Sequence, residues 1–494
     1  MSGFPPAPKI PEAMHRFRDQ FRSERAFIWR VFGIALVLRL VPVLLAYNLP
    51  IGLDDMFQYD MLGRSIASGN GYRWYAQPDL DLIRRYATFS LQGIDYDPRG
   101  IETSFRAPLY PAFLALVYIF SGTGPQRLFA VRLAQALLTA LLIPLTYALA
   151  RRLLPENLRA AHWAAWAVAC YPLLILFPLA LATENLFFVL FLAATLTALL
   201  AAQTRQMRFF VISGVLFGMT ALTRSVILPA AGLAALWFWF VLRERVKALV
   251  LLAAILIVIA PWIVRNSLLY GRLSPIELSM GYNLYVGYYP HNSGTFAYGP
   301  SLDLLTIADD AERERVGTRK AIGFIEADPG RIGVLAVDRL GYFFGLERRA
   351  LSYFYSNDFF GYIPFPLLLA LAILILSPFV IVCCSAALGL AAIRWDRAAA
   401  LLPVVMLGYL LPHVFLLADD RVHMTLVPLL AIFAAVGWLA IKERGRFPAG
   451  RRTLILVILA VALLFGNWGL ELYHDADKLS VLFGPAGNTS YFPY

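Results

Sequence analysis

The sequence predicts an all-α integral membrane protein, and three observations predict it. The first is composition: 60% of the 494 residues are hydrophobic and 15% charged, with a mean hydropathy of +0.65. A soluble globular chain is about 45–50% apolar and about 25% charged, and a water-soluble fold of this length could not hide the excess. The second is the recurrence of apolar runs near 20 residues, the length that crosses ~30 Å of hydrocarbon. The third is the placement of basic residues in short clusters between those runs, which accounts for the net charge of +11 and pI of 9.5 as an orientation signal.

Eleven segments carry the apolar pattern: 26–47, 129–150, 161–179, 184–203, 209–223, 225–242, 247–266, 363–392, 399–417, 424–441 and 453–470. The first, Ala26 to Tyr47, follows a basic N-terminus. It is longer than the ~7–15 residues of a signal-peptide core, and Asn48-Leu49-Pro50 is a poor cleavage site, so it is expected to stay attached as a helix. Segments 209–223 and 225–242 are separated only by Arg224. The stretch Leu109 to Phe120 is apolar but short, bounded by Ala107-Pro108 and Ser121-Gly122-Thr123-Gly124-Pro125, and is expected to lie at the interface or re-enter.

The basic clusters at Arg16 to Arg25, Arg151-Arg152 with Arg159, Arg205 with Arg208, Arg243 to Lys247, Arg394 with Arg397, and Lys442 to Arg452 then share one side. That side is cytoplasmic by the positive-inside rule. The expected organisation is a cytoplasmic N-terminus (1–25), a transmembrane module (26–266) containing a first external loop (48–128), a large external loop (267–362), C-terminal helices (363–470) and an external tail (471–494). Loops this long are uncommon unless functional, and both carry helical patterns, Tyr59 to Ala67 in the first and Asp309 to Ala327 and Val334 to Phe344 in the second, expected as juxtamembrane helices. The sequon Asn488-Thr489-Ser490 falls in the tail.

Several function classes are unsupported. Cys170, Cys383 and Cys384 lie in apolar runs and read as small core hydrophobes. The six histidines form no His-x-x-x-His pair. There is no Walker A motif and no Gly-x-Gly-x-x-Gly, so no nucleotide cofactor is expected. The basic charge is spread along a membrane topology, so no nucleic-acid partner is expected; the lipid bilayer is.

Three groups of residues can carry chemistry. Asp54 and Asp55 lie just beyond the outer end of the first helix. A carboxylate beside an apolar wall has a raised pKa, which suits a general base. Asp also stabilises helix starts as an N-cap. Both readings stand, and both hold if one Asp caps while the other faces a cavity. Glu184 opens an apolar run, where an acid favours the helix dipole and where an ionisable group at membrane depth suggests function. The third group is the cations at outer helix ends: Arg106, Arg224, Arg265, and Arg421 with His423. Singly, each reads as an arginine snorkelling to headgroups. Together they suggest binding of an anionic lipid headgroup, for which planar guanidinium donors are suited. A hard divalent cation (Mg, Mn or Ca) held by Asp55 and Glu184 would fit oxygen ligands.

Five segments in this order resemble the GT-C superfamily of membrane glycosyltransferases, in the branch of protein O-mannosyltransferases and lipid A aminoarabinose transferases. They are Asp54-Asp55-Met-Phe-Gln-Tyr59 with Gly69-Asn-Gly-Tyr72; Arg106-Ala-Pro-Leu-Tyr-Pro111; Thr183-Glu184; Pro261-Trp-Ile-Val-Arg-Asn266 with Gly281-Tyr-Asn-Leu284; and Arg421-Val-His423 before Pro428. The resemblance implies a GT-C fold and an enzyme that moves a hexosyl or pentosyl group from a polyprenyl-phosphate donor. The acceptor is a cell-envelope glycan, lipid or protein, at the periplasmic face of the inner membrane. It puts Asp55 at the acidic position of the first external loop, Glu184 at the second acidic site and Arg106 against the donor phosphate, with Tyr59 and Asn283 near the substrate. Arg224, Arg265, Arg421 and His423 are further candidates for the phosphate. The rival reading is a polytopic transporter or flippase of lipid-linked sugars. It is less favoured because no internal repeat is visible and the polar residues gather at one face.

Overall fold

The computed structural model describes residues 12–86, 91, 95–348, 350–351, 363–444 and 450–484, with no account of the side chains of 12–22, 298 and 443–444. Parts of the basic N-terminus, of the large loop (352–362) and of the tail, with its Asn488 sequon, lie outside the described residues.

The eleven apolar segments all fold as helices, and the structure divides them by length. Seven helices are long and apolar enough to cross a bilayer: Ser23–Leu45, Arg127–Leu153, Glu184–Thr204, Arg245–Tyr270, Phe365–Ala392, Val422–Lys442 and Arg451–His474. An eighth span forms if Leu158–Ala169 and Pro172–Leu179 count as one helix bent by 54°. The helices Met207–Thr223, Ser225–Val241 and Leu401–Phe415 are shorter. At 1.5 Å per residue the 17 residues of Met207–Thr223 reach about 26 Å. With Leu109–Ser121 the apolar helical segments among the described residues number twelve, and seven or eight of them meet the length for a span.

Burial orders these helices from the centre outward. The Val422–Lys442 helix is the axis, with 83% of its most apolar window buried, against 11% for Arg451–His474 at the periphery. The axis packs closely on Phe365–Ala392. Lipid gives no hydrophobic drive for helix pairing, so close approach through small residues has to supply the contact. Gly389 and Gly437 do this: a Cβ on Gly389 would overlap the carbonyl oxygen of Phe433, and one on Gly437 the carbonyl oxygen of Ser385.

The bend after Ala169 frees carbonyl groups inside the bundle, and Arg39 from the first helix satisfies them. Its guanidinium donates to Ala169 O at 3.4 Å and Val168 O at 3.4 Å, and to Ala35 O at 3.0 Å. A cation at a helix C-terminus also meets the negative end of the helix dipole. At the end of the bundle with the basic connections, Arg151 pairs with Glu24 at 3.5 Å and Gln203 donates to Arg152 O at 2.9 Å.

The two long segments fold together as one layer at the other end. Its helices are Asp55–Ala67, Gln77–Ile83, Leu109–Ser121, Met280–Tyr288, Tyr298–Leu305, Asp310–Ala327 and Arg331–Phe343. A two-residue antiparallel ladder pairs Arg73 with Glu102 and Trp74 with Ile101. The layer's core mixes both segments: Phe57, Leu62, Trp74 and Phe105 from the first, Tyr282, Tyr285 and Leu304 from the second. The Leu109–Ser121 helix belongs to this layer. It packs on Asp55–Ala67, while Leu116, Ile119 and Phe120 remain exposed, the amphipathic arrangement of an interfacial helix.

Two buried acids hold the layer in place. Asp60 is fully buried and takes Arg64 at 2.8 Å, Arg127 at 2.7 Å and the Tyr118 hydroxyl at 2.8 Å. Asp310 stitches the two segments to each other. Its Oδ2 accepts from Thr103 Oγ1 and Ser104 N, both at 2.6 Å, and from the Tyr270 hydroxyl at 3.0 Å, while Oδ1 pairs with Arg313.

Candidate active site

The site starts at the end of the first helix, where the chain turns from the bundle into the layer. Asp54 caps the next helix: its carboxylate accepts from Met56 N at 2.9 Å. Asp55 is the first helical residue, and its side chain faces a cavity between the layer and the bundle. Asp54 thus takes the capping place, and Asp55 is the member of the pair that faces the cavity. The Asp55 carboxylate is 44% accessible.

Arg106 comes from the extended segment 103–106, which is braced on every side. Asp310 holds Thr103 and Ser104. Arg265 Nη1 donates to Thr103 O at 2.7 Å and Ser104 Oγ at 2.9 Å. Ser104 Oγ donates to Asn266 Oδ1 at 2.7 Å, and the Tyr72 hydroxyl to Arg106 O at 2.9 Å. The guanidinium that this frame presents pairs with Asp55 and donates to Gln58 Oε1 at 2.9 and 2.7 Å. It lies over the Tyr59 ring, 5.1 Å from the centroid. Gln58 stands one turn beyond Asp55, so the same helix that carries the acid also aims its cation.

The opposite wall comes from the bundle. Glu184, buried at the start of its helix, pairs with Arg224 at 2.6 Å. Arg421 bridges the two acids, 3.7 Å from Asp55 and 3.9 Å from Glu184, and also lies 3.6 Å from Asp419. Tyr59, Tyr282 and Asn283 share the wall. The cavity measures about 1180 Å³, larger than the ~300–1,000 Å³ of most small-molecule sites. Away from the charges it is lined by apolar residues such as Leu45, Leu173, Leu176, Leu371 and Ile375.

Two candidates from the sequence do not reach the cavity wall. Arg265 spends its donors on Thr103 O, Ser104 Oγ and Asn266 Oδ1 and stacks on Trp262, 4.8 Å from the ring. His423 is fully buried, with Nδ1 2.8 Å from Phe343 O and Nε2 3.1 Å from Glu347 Oε1.

The expected electrostatics of Asp55 are reversed. Burial pushes its carboxyl up, but the Arg106 guanidinium, with Arg421, pulls it further the other way and leaves it below the ordinary carboxylate value. The raised group is Asp54, through burial and the neighbouring Asp55 charge. Burial also pushes the Tyr59 hydroxyl up to about 12, so it is a neutral donor.

A divalent cation fits this donor set poorly. Asp55 and Glu184 already face three guanidinium groups. Among the described residues no group of three or more His, Cys, Asp or Glu could hold a metal ion.

Comparison with known proteins places this stretch. Residues 106–264 match the family model of dolichyl-phosphate-mannose-protein mannosyltransferases. Over those residues, which hold Arg106, Glu184 and Arg224, the resemblance to membrane glycosyltransferases is borne out. No curated protein matches the chain by sequence. Among solved structures, the chain is similar to the oligosaccharyltransferase of Archaeoglobus fulgidus in its apo form, at 17% identity and a TM-score of 0.47, over 94% of this chain and 60% of that one. A structure of the same archaeon's oligosaccharyltransferase with zinc and sulfate gives 19% identity and a TM-score of 0.46, over 88% and 53%. ArnT from Cupriavidus metallidurans bound to undecaprenyl phosphate gives 14% identity and a TM-score of 0.39, over 85% and 79%. The chain spans about 60% of the length of the archaeal enzyme.

Sequence reasoning missed Gln58, Asp310 and Asp419. Gln58 carried a signal, its one-turn spacing from Asp55. Asp310 carried none for the seam, because Thr103 and Ser104, which it holds, lie some 200 residues away.

Proposed function

We propose that this multi-pass membrane protein is a glycosyltransferase that moves a sugar from a polyprenyl-phosphate donor to a hydroxyl of a cell-envelope acceptor at the outer face of the membrane. The observation that carries the reading is the cavity itself. One acid from the first long segment and one from the bundle converge with Arg106, Arg224 and Arg421 at the head of an apolar recess. Arginines suit a phosphate, and apolar walls suit a prenyl chain. The family match over 106–264 supports the same chemistry, and ArnT is a protein whose structure holds undecaprenyl phosphate.

In this reading Asp55 accepts the proton of the acceptor hydroxyl as its oxygen attacks the anomeric carbon. The bond from that carbon to the phosphate oxygen breaks, and the lipid phosphate leaves with the electron pair. Arg106, Arg224 and Arg421 stabilise the gathering negative charge, usually the largest contribution in a site from which water is excluded. Glu184 orients Arg224 and Arg421. Arg106 is engaged by Asp55 before the donor arrives; a phosphate that shares Arg106 weakens that pair and returns basicity to the carboxylate. Tyr59 and Asn283 contact substrate, and residues 267–362 contribute acceptor specificity. Direct attack inverts the anomeric centre.

The test is release of polyprenyl phosphate. Purified protein is given labelled undecaprenyl-phosphoryl mannose and related donors with envelope acceptors. Acceptor-dependent release is expected. Donor movement across a reconstituted bilayer without bond cleavage would replace this reading with the flippase.

A further inference from the structure

A further carboxylate on the polar wall of the same cavity has no role in the reaction above. Glu277 lines the cavity and is half-buried. It stands early in the second long segment, where the chain is fixed on both sides of it. Asn266 Nδ2 donates to Pro275 O at 2.7 Å and to Ile276 O at 3.1 Å, and Trp262 Nε1 donates to Ile276 O at 2.8 Å. On the other side Leu278 N donates at 2.8 Å to Ser104 O, in the extended segment that presents Arg106.

The two oxygens of Glu277 are unlike. Oε1 accepts from Ser225 N at 3.1 Å and from the Ser225 hydroxyl. Oε2 accepts no hydrogen bond and keeps accessible surface. Among the described residues Glu277 is in no ion pair, whereas Asp55 and Glu184 each face guanidinium groups. A carboxylate accepts hydrogen bonds and donates none. Oε2 is thus a positioned, reachable acceptor without a donor.

The position narrows the ligand. Ser225 follows Arg224, and Leu278 is bonded to the segment that ends in Arg106, so Glu277 is held between two of the arginines assigned to the phosphate. Its charge acts on the Arg106 guanidinium. The inference rests on the glycosyltransferase reading, in which the donor phosphate lies against those arginines. A carboxylate beside the phosphate repels it and weakens donor binding, unless a hydrogen-bond donor of the ligand meets it. The prenyl chain carries no polar hydrogen, and the ionised phosphodiester carries none either. The glycosyl group is bonded to that phosphate, so its hydroxyls lie within a few bonds of the arginines that flank Glu277.

We propose that Glu277 is a sugar-binding residue, its Oε2 accepting a hydroxyl of the donor's glycosyl group while Ser225 fixes the carboxylate through Oε1. Two probes are titrated into the purified full-length protein without acceptor: undecaprenyl phosphate, which lacks the sugar, and undecaprenyl-phosphoryl mannose. Glu277→Gln keeps the volume, and its amide oxygen can still accept from Ser225, which turns the amide nitrogen toward the cavity. Loss of the negative charge is expected to leave undecaprenyl phosphate bound as tightly as in wild type or more tightly. A neutral hydrogen bond in place of a charge-assisted one is expected to weaken the mannosyl lipid by roughly fivefold to tenfold. A residue that only tethers the segment to the bundle would not move the two probes apart. Ser225→Ala removes one donor to Oε1 but leaves Oε2 in place, and is expected to keep the wild-type ratio of the two affinities. Equal losses for both lipids in Glu277→Gln, or an unchanged affinity for the mannosyl lipid, would overturn the proposal while leaving the glycosyltransferase reading intact. An unchanged affinity joined to a raised KM for the acceptor would assign Oε2 to an acceptor hydroxyl instead. Wild-type protein that binds neither lipid would remove both the proposal and the reading beneath it.

Discussion

Replacing Asp55 by Asn separates the chemistry of the site from its binding more sharply than any other change. The amide keeps the volume and can still accept a hydrogen bond from Arg106, so the layer keeps its shape. It cannot take a proton. General-base catalysis by a positioned side chain contributes about 10²–10⁴-fold, or about 3–5 kcal/mol at 1.36 kcal/mol per factor of ten. Turnover is therefore expected to fall by that range. Binding is expected to move the other way. Arg106 loses an ionic partner whose carboxylate is 44% accessible; an exposed pair of this kind is worth at most about 1 kcal/mol, so undecaprenyl phosphate binds up to about fivefold more tightly. The assay pairs release of labelled polyprenyl phosphate with tryptophan-fluorescence titration of the lipid. Turnover within threefold of wild type, with lipid binding unchanged, would refute the assignment of Asp55 as base.

Three further outcomes follow from the same geometry. With Asp55 held below the ordinary carboxylate value, kcat/KM in wild type stays flat as pH falls to about 4, since the base is ionised above its pKa. Arg106→Gln removes the larger of the two charges that lower it, leaves the burial, and moves the acid limb of the residual activity upward; an unmoved limb would count against the pair. Asp60→Asn leaves Arg64 and Arg127 without their buried partner and is expected to destabilise the layer by about 3–5 kcal/mol, read as a lower melting temperature in detergent. Burial pushes Asp60 up and the Arg127 and Arg64 interactions bring it below its ordinary value, so its contribution is present above about pH 4 and is lost as pH falls through the lowered folded pKa. The acid sensitivity of melting should accordingly be reduced in Asp60→Asn. Gly389→Leu forces apart the two most closely packed helices and should lower the melting temperature more than Gly466→Leu, where nothing lies within 4 Å.

Hydropathy made the bundle legible, because a spanning helix must be apolar along its whole length and the sequence cannot disguise that. It was less able to separate the long helices from Met207–Thr223 and Leu401–Phe415, whose apolar character equals theirs while their reach does not. Arg39 and Arg132, cations inside apolar runs, were passed over in the sequence, although that pattern marks a specific buried partner. Those partners are backbone carbonyls at chain breaks: Val168 and Ala169 for Arg39, Leu49 and Leu179 for Arg132. The ends of helices marked the candidate site well, because Asp55, Arg106, Glu184, Arg224 and Arg421 all sit where an apolar run stops or starts. Local sequence could not tell a charge that faces the cavity from one that braces the backbone, and so it grouped Arg265 and His423 with the others. Glu347, in Gly345-Leu346-Glu347-Arg348, looks like any solvated acid between two helices; its burial depends on Tyr171 and His423, residues distant in the chain.

The Asp310 stitch makes the two long segments a single unit of inheritance. Thr103 and Ser104 meet the second segment through one carboxylate, and Arg106 follows two residues later. A chimera that imports residues 267–351 from a relative to change the acceptor would also reposition the arginine at the centre of the site, unless residues 100–106 travel with it. Under the proposed function, a change of acceptor is expected to require paired exchange of both segments, or substitutions that leave the seam between them untouched.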